Sequence, residues 1–433
     1  AVRITQDDDG RLALNGPGEV VEWAVLMRRY PEADVLVNVA RKGDFSLSLA
    51  NLLGEKIAQV HGDLTPIFPG EGRERFGDIV RSVSDRLQEP HLGLPKPLTD
   101  QFATSANHSH GLLRSKLETR FHEGLVRRCH GDMHLANLIL LDGEPVPVDA
   151  LEFDERLAEI DVLYDLAFLL MDLLHNGLKA QANHVLNRYC LRGWSLIETH
   201  GFEVLPLFVS LRAAVRSMVE AQRVATDDQH NTQDEPAASE YLQHACEYLQ
   251  QQSPQLLAVG GLSGTGKSTL AAELAPKIPG NLGALVLRSD LERKAMFGVD
   301  EYAQLPSDAY TKAVSADVYA RLFEKARIAL QQGQPVILDG VFAGMEEQVT
   351  AADVALAMKV PFYGLWLTAP LPVLVERVQK RRNDASDADS TVVLGQQERF
   401  HDVDQHLPDG WHVVDASSTA GATLHNAISM LTA

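Results

Sequence analysis

Residues 261–268 read Gly-Leu-Ser-Gly-Thr-Gly-Lys-Ser, with Thr269 following. Glycines at 261, 264 and 266, a lysine at 267 and hydroxyls at Ser263, Thr265, Ser268 and Thr269 suit the holding of a polyphosphate. The glycines let backbone N–H groups curl around phosphate oxygens. Lys267 then reaches the terminal phosphates, and Ser268 offers a hydroxyl to a divalent cation. The apolar run QLLAVG before this stretch and STLAAELA after it read as a strand feeding a helix, whose N-terminus adds partial positive charge beneath the anion. A second constellation lies upstream, His130-Gly131-Asp132-Met133-His134-Leu135-Ala136-Asn137, with Asp149 beyond a short turn. At this spacing Asp132 takes the proton of a hydroxyl, while Asn137 and Asp149 hold a cation from two sides.

Further candidates follow the glycine-rich stretch. PVILDG places Asp339 at the carboxyl end of an apolar strand, where it can hold the shell of a magnesium ion. LRSDLERK ends another strand with Asp290, a candidate proton acceptor, and sets Arg293 one turn further on to hold a phosphate or the substrate. ERVQKRRND puts Arg377 and Arg381 four apart on one expected helical face, with Arg382 adjacent, as positive charge for a transferring phosphoryl group. Asp384, Asp387 and Asp389 follow. One of them suits the cap of the next helix, and three together point toward a cationic acceptor.

These residues need elements to position them. Residues 1–30 alternate in the manner of strands around turns, with NGPGE read as a hairpin turn. From Asp44, a candidate N-cap, a helical pattern begins, with Leu49, Leu53, Ile57 and Val60 near one face. Residues 110–126 and 156–223 read mostly as helix, including the buried-core run IDVLYDLAFLLMDLL. The polar stretch 226–236 reads as a linker, and an amphipathic helix follows over about 239–251. Strand-like ALVLRSD, PVILDG and FYGLWLTA then alternate with helices, the pattern of a parallel sheet built from βαβ units. The domains expected are 1–225, a linker at 226–236, a connecting helix at 237–253, and 254–433.

A chain of 433 residues, 45% hydrophobic, can bury two or three cores. The net charge of −20 disfavours nucleic acid and anionic membranes as partners. No apolar run is long enough to span a bilayer, and the first residues lack the pattern of a signal peptide, so a cytoplasmic location is expected. Cys129, Cys190 and Cys246, far apart and outside any metal-ligand spacing, read as reduced, buried thiols.

GLSGTGKST, SDLER, VILDG and RVQKRR together resemble the P-loop kinase family that includes gluconate kinase, chloramphenicol phosphotransferase, the kinase half of polynucleotide kinase and zeta toxins. That resemblance implies ATP-dependent phosphorylation of a hydroxyl, with ATP and Mg²⁺ on the glycine-rich stretch and Asp290 as base. In the first half, His130, Gly131, Asp132, His134 and Asn137 match the H-G-D-x-H-x-x-N loop of the aminoglycoside phosphotransferase and choline kinase family, and IDVLYDLA, with Asp161 and Asp165, is similar to its downstream helix. The acidic pair is expected to be structural. The order of the halves resembles a bacterial family of two-part predicted kinases, usually described as bifunctional aminoglycoside phosphotransferase and ATP-binding protein. The implied fold class is α/β and α+β, a protein-kinase-like lobe followed by a P-loop kinase with a parallel sheet flanked by helices.

The first half departs from that family upstream. The first lysine is Lys42, and nothing before it reads as a loop covering phosphates, so most of an N-lobe is missing from the pattern. Either residues precede Ala1, or this half keeps catalytic-loop residues without the means to clamp ATP. Three functions are compatible with these features. They are a kinase acting on a small-molecule hydroxyl, a nucleotide-gated regulator with a catalytically dead first half, and a toxin-like or nucleic-acid-end kinase, which the charge disfavours.

Overall fold

A computed structural model describes residues 1–26, 29–68, 75–152, 155–226, 235–250, 253–381, 384–400 and 402–431. The first strands, β1 (Val2–Gln6), β2 (Leu12–Leu14) and β3 (Glu19–Ala24), form an antiparallel sheet in the order β2-β1-β3. NGPGE is therefore not a hairpin turn. It carries the chain past β1, and the tight turn is at Asp7, whose Oδ1 accepts from the Asp9 and Arg11 N–H groups.

Helices α1 (Leu36–Arg41), α2 (Leu47–Asp63), α3 (Arg75–Leu87) and α4 (Lys96–His122) lead to β4 (Val126–Arg128) and the hairpin β5 (Leu138–Leu141) and β6 (Glu144–Pro147). The N-cap of α2 is Ser46, not Asp44. Its hydroxyl accepts from Leu49 N, and the buried stripe is Leu49, Leu53 and Ile57, with Val60 turned to solvent. Helix α4 begins well before residue 110, its first turn started by the prolines flanking Lys96. A short helix α5 (Glu155–Ala158) and β7 (Glu159–Asp161), paired with β4, precede α6 (Val162–His175), α7 (Lys179–Arg192), α8 (Trp194–Ile197) and α9 (Gly201–Thr226). Most of the expected linker, residues 227–234, lies outside the described residues. Helix α10 (Glu235–Tyr248) starts a few residues before the expected connecting helix and packs beside α9, where Ser210 and Ser217 donate to the Ala245 and Ala238 carbonyls. Cys129, Cys190 and Cys246 are free and buried. Among the described residues no helix is long and apolar enough to cross a membrane.

The second half holds a parallel five-stranded sheet. Its elements are β8 (Leu256–Gly261), α11 (Lys267–Leu274), β9 (Leu285–Arg288), α12 (Ser289–Met296), α13 (Lys312–Gln331), β10 (Val336–Asp339), α14 (Met345–Met358), β11 (Phe362–Thr368), α15 (Leu371–Lys380), α16 (Ser390–Phe400), β12 (Trp411–Asp415) and α17 (Ala420–Leu431). The strand order is β12-β11-β8-β10-β9. Strands β8 and β10 are wholly buried, as their unbroken apolar runs require.

Strand β9 ends this sheet, and the first half covers it. Asn183 of α7, buried, donates to the Leu282 and Ala284 carbonyls at 2.7 and 2.9 Å. Asn187, one turn on, accepts from Val286 N at 2.6 Å and donates to Ala284 O at 3.1 Å. The next residue, Arg188, grips Glu301 with two hydrogen bonds of 2.6 Å and also reaches Glu55 of α2. Gln332, at the end of α13, accepts from Phe202 N and donates to Glu198 O.

Because Asn183 carries two carbonyls away from water, Asn183→Ala should cost about 1–3 kcal/mol of unfolding free energy. Urea denaturation of the whole chain measures it. An unchanged midpoint would mean that the strand edge does not need this side chain.

Candidate active site

The site is assembled at the carboxyl ends of β8, β9 and β10. Gly264 and Gly266 have φ of +88° and +92°. At Gly264 an added Cβ would meet the Leu374 carbonyl oxygen at 2.6 Å, whereas at Gly266 nothing lies within 4 Å. Gly264 is therefore needed for close packing on α15, and Gly266 for its backbone conformation alone. Gly261 ends β8, and its N–H bonds Val341 O. Thr265 is buried, its hydroxyl tied to Leu262 O, and Thr269 is exposed on α11. Lys267 donates to Leu262 O at 3.1 Å. Burial lowers its pKa, and the carboxylates of Asp339 and Asp290 oppose that shift.

Asp339 ends β10 and is buried, with Oδ2 lacking a hydrogen bond, although Arg288 Nε stands 3.2 Å away. Asp290 lies in the first turn of α12. Desolvation raises its carboxyl pKa, the nearby Asp339 charge adds to this, and Arg288 and Lys267 restrain it. Arg288 emerges as the hub of the cluster, reaching Asp339 and, at 3.2 Å, Asp384. Sequence reading passed over it because an arginine ending a strand has no motif of its own.

The remaining candidates divide. Helix α15 ends at Lys380 and Arg381 is extended, so Arg377 and Arg381 do not share a helical face. Arg377 instead ties α15 to the segment after β12 through the Ala416 and Ser418 carbonyls. Arg381 stays at the site, 3.5 Å from Asp384, with Nη1 buried and unbonded and its charge felt at Lys267. Arg293 is one turn beyond Asp290, as expected, but its guanidinium is committed to Ala309 O and to the face of Tyr310. Arg382 lies outside the described residues. Two of the three aspartates are already paired with cations. Asp384 pairs with Arg288 and Arg381, Asp387 with Lys294 and Tyr310, and Asp389 caps α16 at Val392 N.

A contact that sequence reading missed bears on the phosphate loop. Gln396, on α16, accepts from Ser263 N at 2.8 Å through Oε1. A carboxamide oxygen thus occupies one of the loop's backbone amides. Nothing in the local sequence marks it, since the contact spans 133 positions.

The second constellation is also organised. Asp165, buried, accepts from the N–H groups of His130 and Gly131 and from His61, and Asp172 accepts from Leu135 N at 2.8 Å. Asp161 pairs with the fully buried Arg120 through two bonds of 2.7 Å. Both acids of IDVLYDLA are thus structural. Asn137 donates to Asp132 Oδ2 at 2.9 Å. Burial raises the Asp132 pKa, but His134, the Arg212 charge and Asn137 more than offset it, and the carboxyl lies below its usual value. Val148 N bonds Asn137 O, which brings exposed Asp149, at φ +60°, beside the loop.

Comparison with known proteins bears on the second half above all. Residues 256–403 match a family model described as AAA domain. The chain is 28% identical over 399 residues to an uncharacterized protein of Mycobacterium tuberculosis, spanning 89% of this chain and 77% of that one. It is 31% identical over 195 residues to a thymidylate kinase of Xanthomonas euvesicatoria, 41% of this chain and 83% of that one. A gluconokinase from Sinorhizobium meliloti aligns in structure over 42% of this chain and 94% of its own, at 18% identity and a TM-score of 0.31.

Because Gln396 competes for an amide of the phosphate loop, Gln396→Ala should tighten ATP binding, by roughly two- to tenfold for a bond of about 0.5–1.5 kcal/mol. Calorimetry reads this directly. Weaker binding in the variant would assign Gln396 to the nucleotide rather than against it.

Proposed function

The second half of the chain belongs to the P-loop kinases, and from that premise we propose that the protein is an ATP-dependent phosphotransferase acting on a hydroxyl of a small molecule. The observation that carries this reading is the meeting of Lys267, Arg288, Asp290 and Asp339 in one buried cluster, with Asp290 held above the usual carboxylate range. Asp339 Oδ2, Arg288 Nε and Arg381 Nη1 are buried without hydrogen bonds, and such groups are costly unless a charged ligand completes them. Those residues fit an ATP–Mg²⁺ pair, which Ser268 and Asp339 would hold. Magnesium, when bound, neutralises charge on the phosphates.

The chain's own residues supply the rest. The backbone amides after Gly261 and the Lys267 ammonium fix the phosphates, and Arg381 and Arg288 offset the charge that develops on the moving phosphoryl group. Asp290 takes the acceptor's proton while the acceptor oxygen bonds to the γ-phosphorus and the bond from that phosphorus to ADP breaks. An alcohol must lose a proton in this exchange and an anionic phosphate need not. A carboxylate of raised basicity therefore favours a hydroxyl acceptor over a nucleotide's phosphate. The net charge of −20 further disfavours a polyanionic acceptor.

Asp290 acts only when ionised, and its pKa is raised. As pH falls, kcat/KM should fall with an inflection above the ordinary carboxylate range, under saturating Mg-ATP and with whichever acceptor a screen of small hydroxyl compounds returns. Asp290→Asn should lower kcat by about 10²–10⁴-fold and remove the inflection. ATP turnover that is indifferent to acceptors and to Asp290 would sink the proposal.

A second reading is favoured by the Asp132–Asn137 contact and by the buried acids that pin its loop, an arrangement resembling the aminoglycoside phosphotransferase and choline kinase loop. On this reading the first half is a second hydroxyl-directed site or the holder of the acceptor. Lys42, the first lysine of this sequence, is exposed at the end of α1 rather than set in a strand. Calorimetry with Mg-ATP should therefore find one site, lost in Lys267→Ala. A site surviving in that variant would give the first half a nucleotide of its own.

A further inference from the structure

Away from both constellations, α6 and α10 bring two histidines and a glutamate together. His175 occupies the last turn of α6, and Glu240 and His244 lie four apart, one turn, on α10. One nitrogen from each imidazole and one Glu240 oxygen all fall within 4.8 Å of one another. The Nδ1 atoms of His175 and His244 are both buried without a hydrogen-bond partner. An imidazole nitrogen that is neither wet nor bonded forfeits about 1–3 kcal/mol, and two such atoms in one cluster call for a shared ligand. The His175 ring is fixed by stacking on Tyr241, with centroids 3.6 Å apart, and His244 meets it edge-on. Neither ring has to search for its place.

We propose that His175, Glu240 and His244 form a binding site for a transition-metal dication of the zinc class, separate from the magnesium of the phosphate loop. Two imidazoles and one carboxylate are a ligand set that zinc takes with a fourth position left open, whereas magnesium prefers oxygen ligands alone. Bonds of about 2.1 Å place ligand atoms roughly 3.4 Å apart in a tetrahedron, and turning the exposed Glu240 side chain supplies the approach. Burial lowers the His175 pKa, against the pull of Glu240, which keeps the ring neutral and able to ligate at neutral pH. The nearby cation, Arg216, is already paired with Glu220 at 2.9 Å. The site also has a structural consequence. Asp172, three residues before His175, holds Leu135 N within the 130–137 loop. A cation here would fasten α10, the helix leading to the phosphate-binding half, to the helix that shapes that loop.

The test is titration of the whole chain with Zn(II), and separately Co(II), without nucleotide or magnesium, comparing it with Glu240→Gln, His244→Ala and the distant surface control His91→Ala. The expected result is one zinc per chain, a visible Co(II) spectrum of low coordination number, and a rise in Tm on metal addition. Both cluster variants should weaken binding by more than the roughly 10–100-fold typical of losing an outer-sphere partner, and His91→Ala should not. Glu240→Gln changes an exposed group of equal shape, so it reports on binding even where His244→Ala folds poorly. Equal zinc affinity in parent and Glu240→Gln, with an octahedral Co(II) spectrum, would mean an adventitious ion only and overturn the proposal.

Discussion

A parallel sheet cannot end in water without leaving backbone donors and acceptors open, and β9 is one of the two edge strands here. Asn183 and Asn187 of α7 meet it at the Val286 N–H and at the Leu282 and Ala284 carbonyls just before it. Much of the arrangement follows from that requirement. The two asparagines, one turn apart, orient α7 along the strand, and that orientation aims Arg188 at Glu301 and Glu55. The first half is thereby joined to the second through hydrogen bonds between side-chain amides and the main chain. A cleft of about 200 Å³ remains between α7 and the sheet, with Ser268 and Arg288 on one wall and His184 on the other. Residues of the first half thus stand next to the residue expected to hold magnesium.

Beyond the carboxyl ends of the strands, charge is concentrated where packing alone would not place it. Lys267, Arg288, Asp290, Asp339, Asp384 and Arg381 interact within a largely desolvated volume. Replacing such a network with apolar groups of similar volume is often neutral or stabilising, so stability does not explain its presence. Its incompleteness points the same way. A network built for stability would satisfy Asp339 Oδ2 and Arg381 Nη1, and this one leaves them unbonded. The Gln396 bond to the phosphate loop has the same logic, since it satisfies an amide with a group that can swing away on α16.

What could be read from the sequence is what is local in the chain. The glycine spacing of the phosphate loop, Asp339 at the end of an apolar strand, Asp290 at a strand–helix junction, and the 130–137 loop all rely on neighbours within a few positions. The misreadings came from competition between local signals. Ser46 displaced Asp44 as a cap because only it is followed at the right distance by the first free amide of α2. Helix α15 stopped at Lys380, and the expected pairing of Arg377 with Arg381 ended with it. Arg288, Gln396 and the asparagines of α7 could not be read at all. Each acquires its meaning from a partner 51 to 133 positions away, and an asparagine mid-helix looks the same whether it faces solvent or a strand.

The first half poses the sharper physical question, because its loop is expensive to build. Asp165 is desolvated completely, yet His61, the Arg212 charge and two backbone amides converge on it and place it below the usual carboxylate range. Arg120 is likewise fully buried against Asp161. Asp165 on the His130 and Gly131 amides and Asp172 on the Leu135 amide restrict the backbone of this short loop far beyond what connecting β4 to β5 requires. The beneficiary is Asp132, whose carboxyl is held below its usual pKa by His134, by the Arg212 charge and by Asn137. The result is a carboxylate bonded to a carboxamide in a loop held from beneath by buried acids. Because α7 ties this half to the sheet, Asp132 is held at a fixed position relative to the phosphate loop.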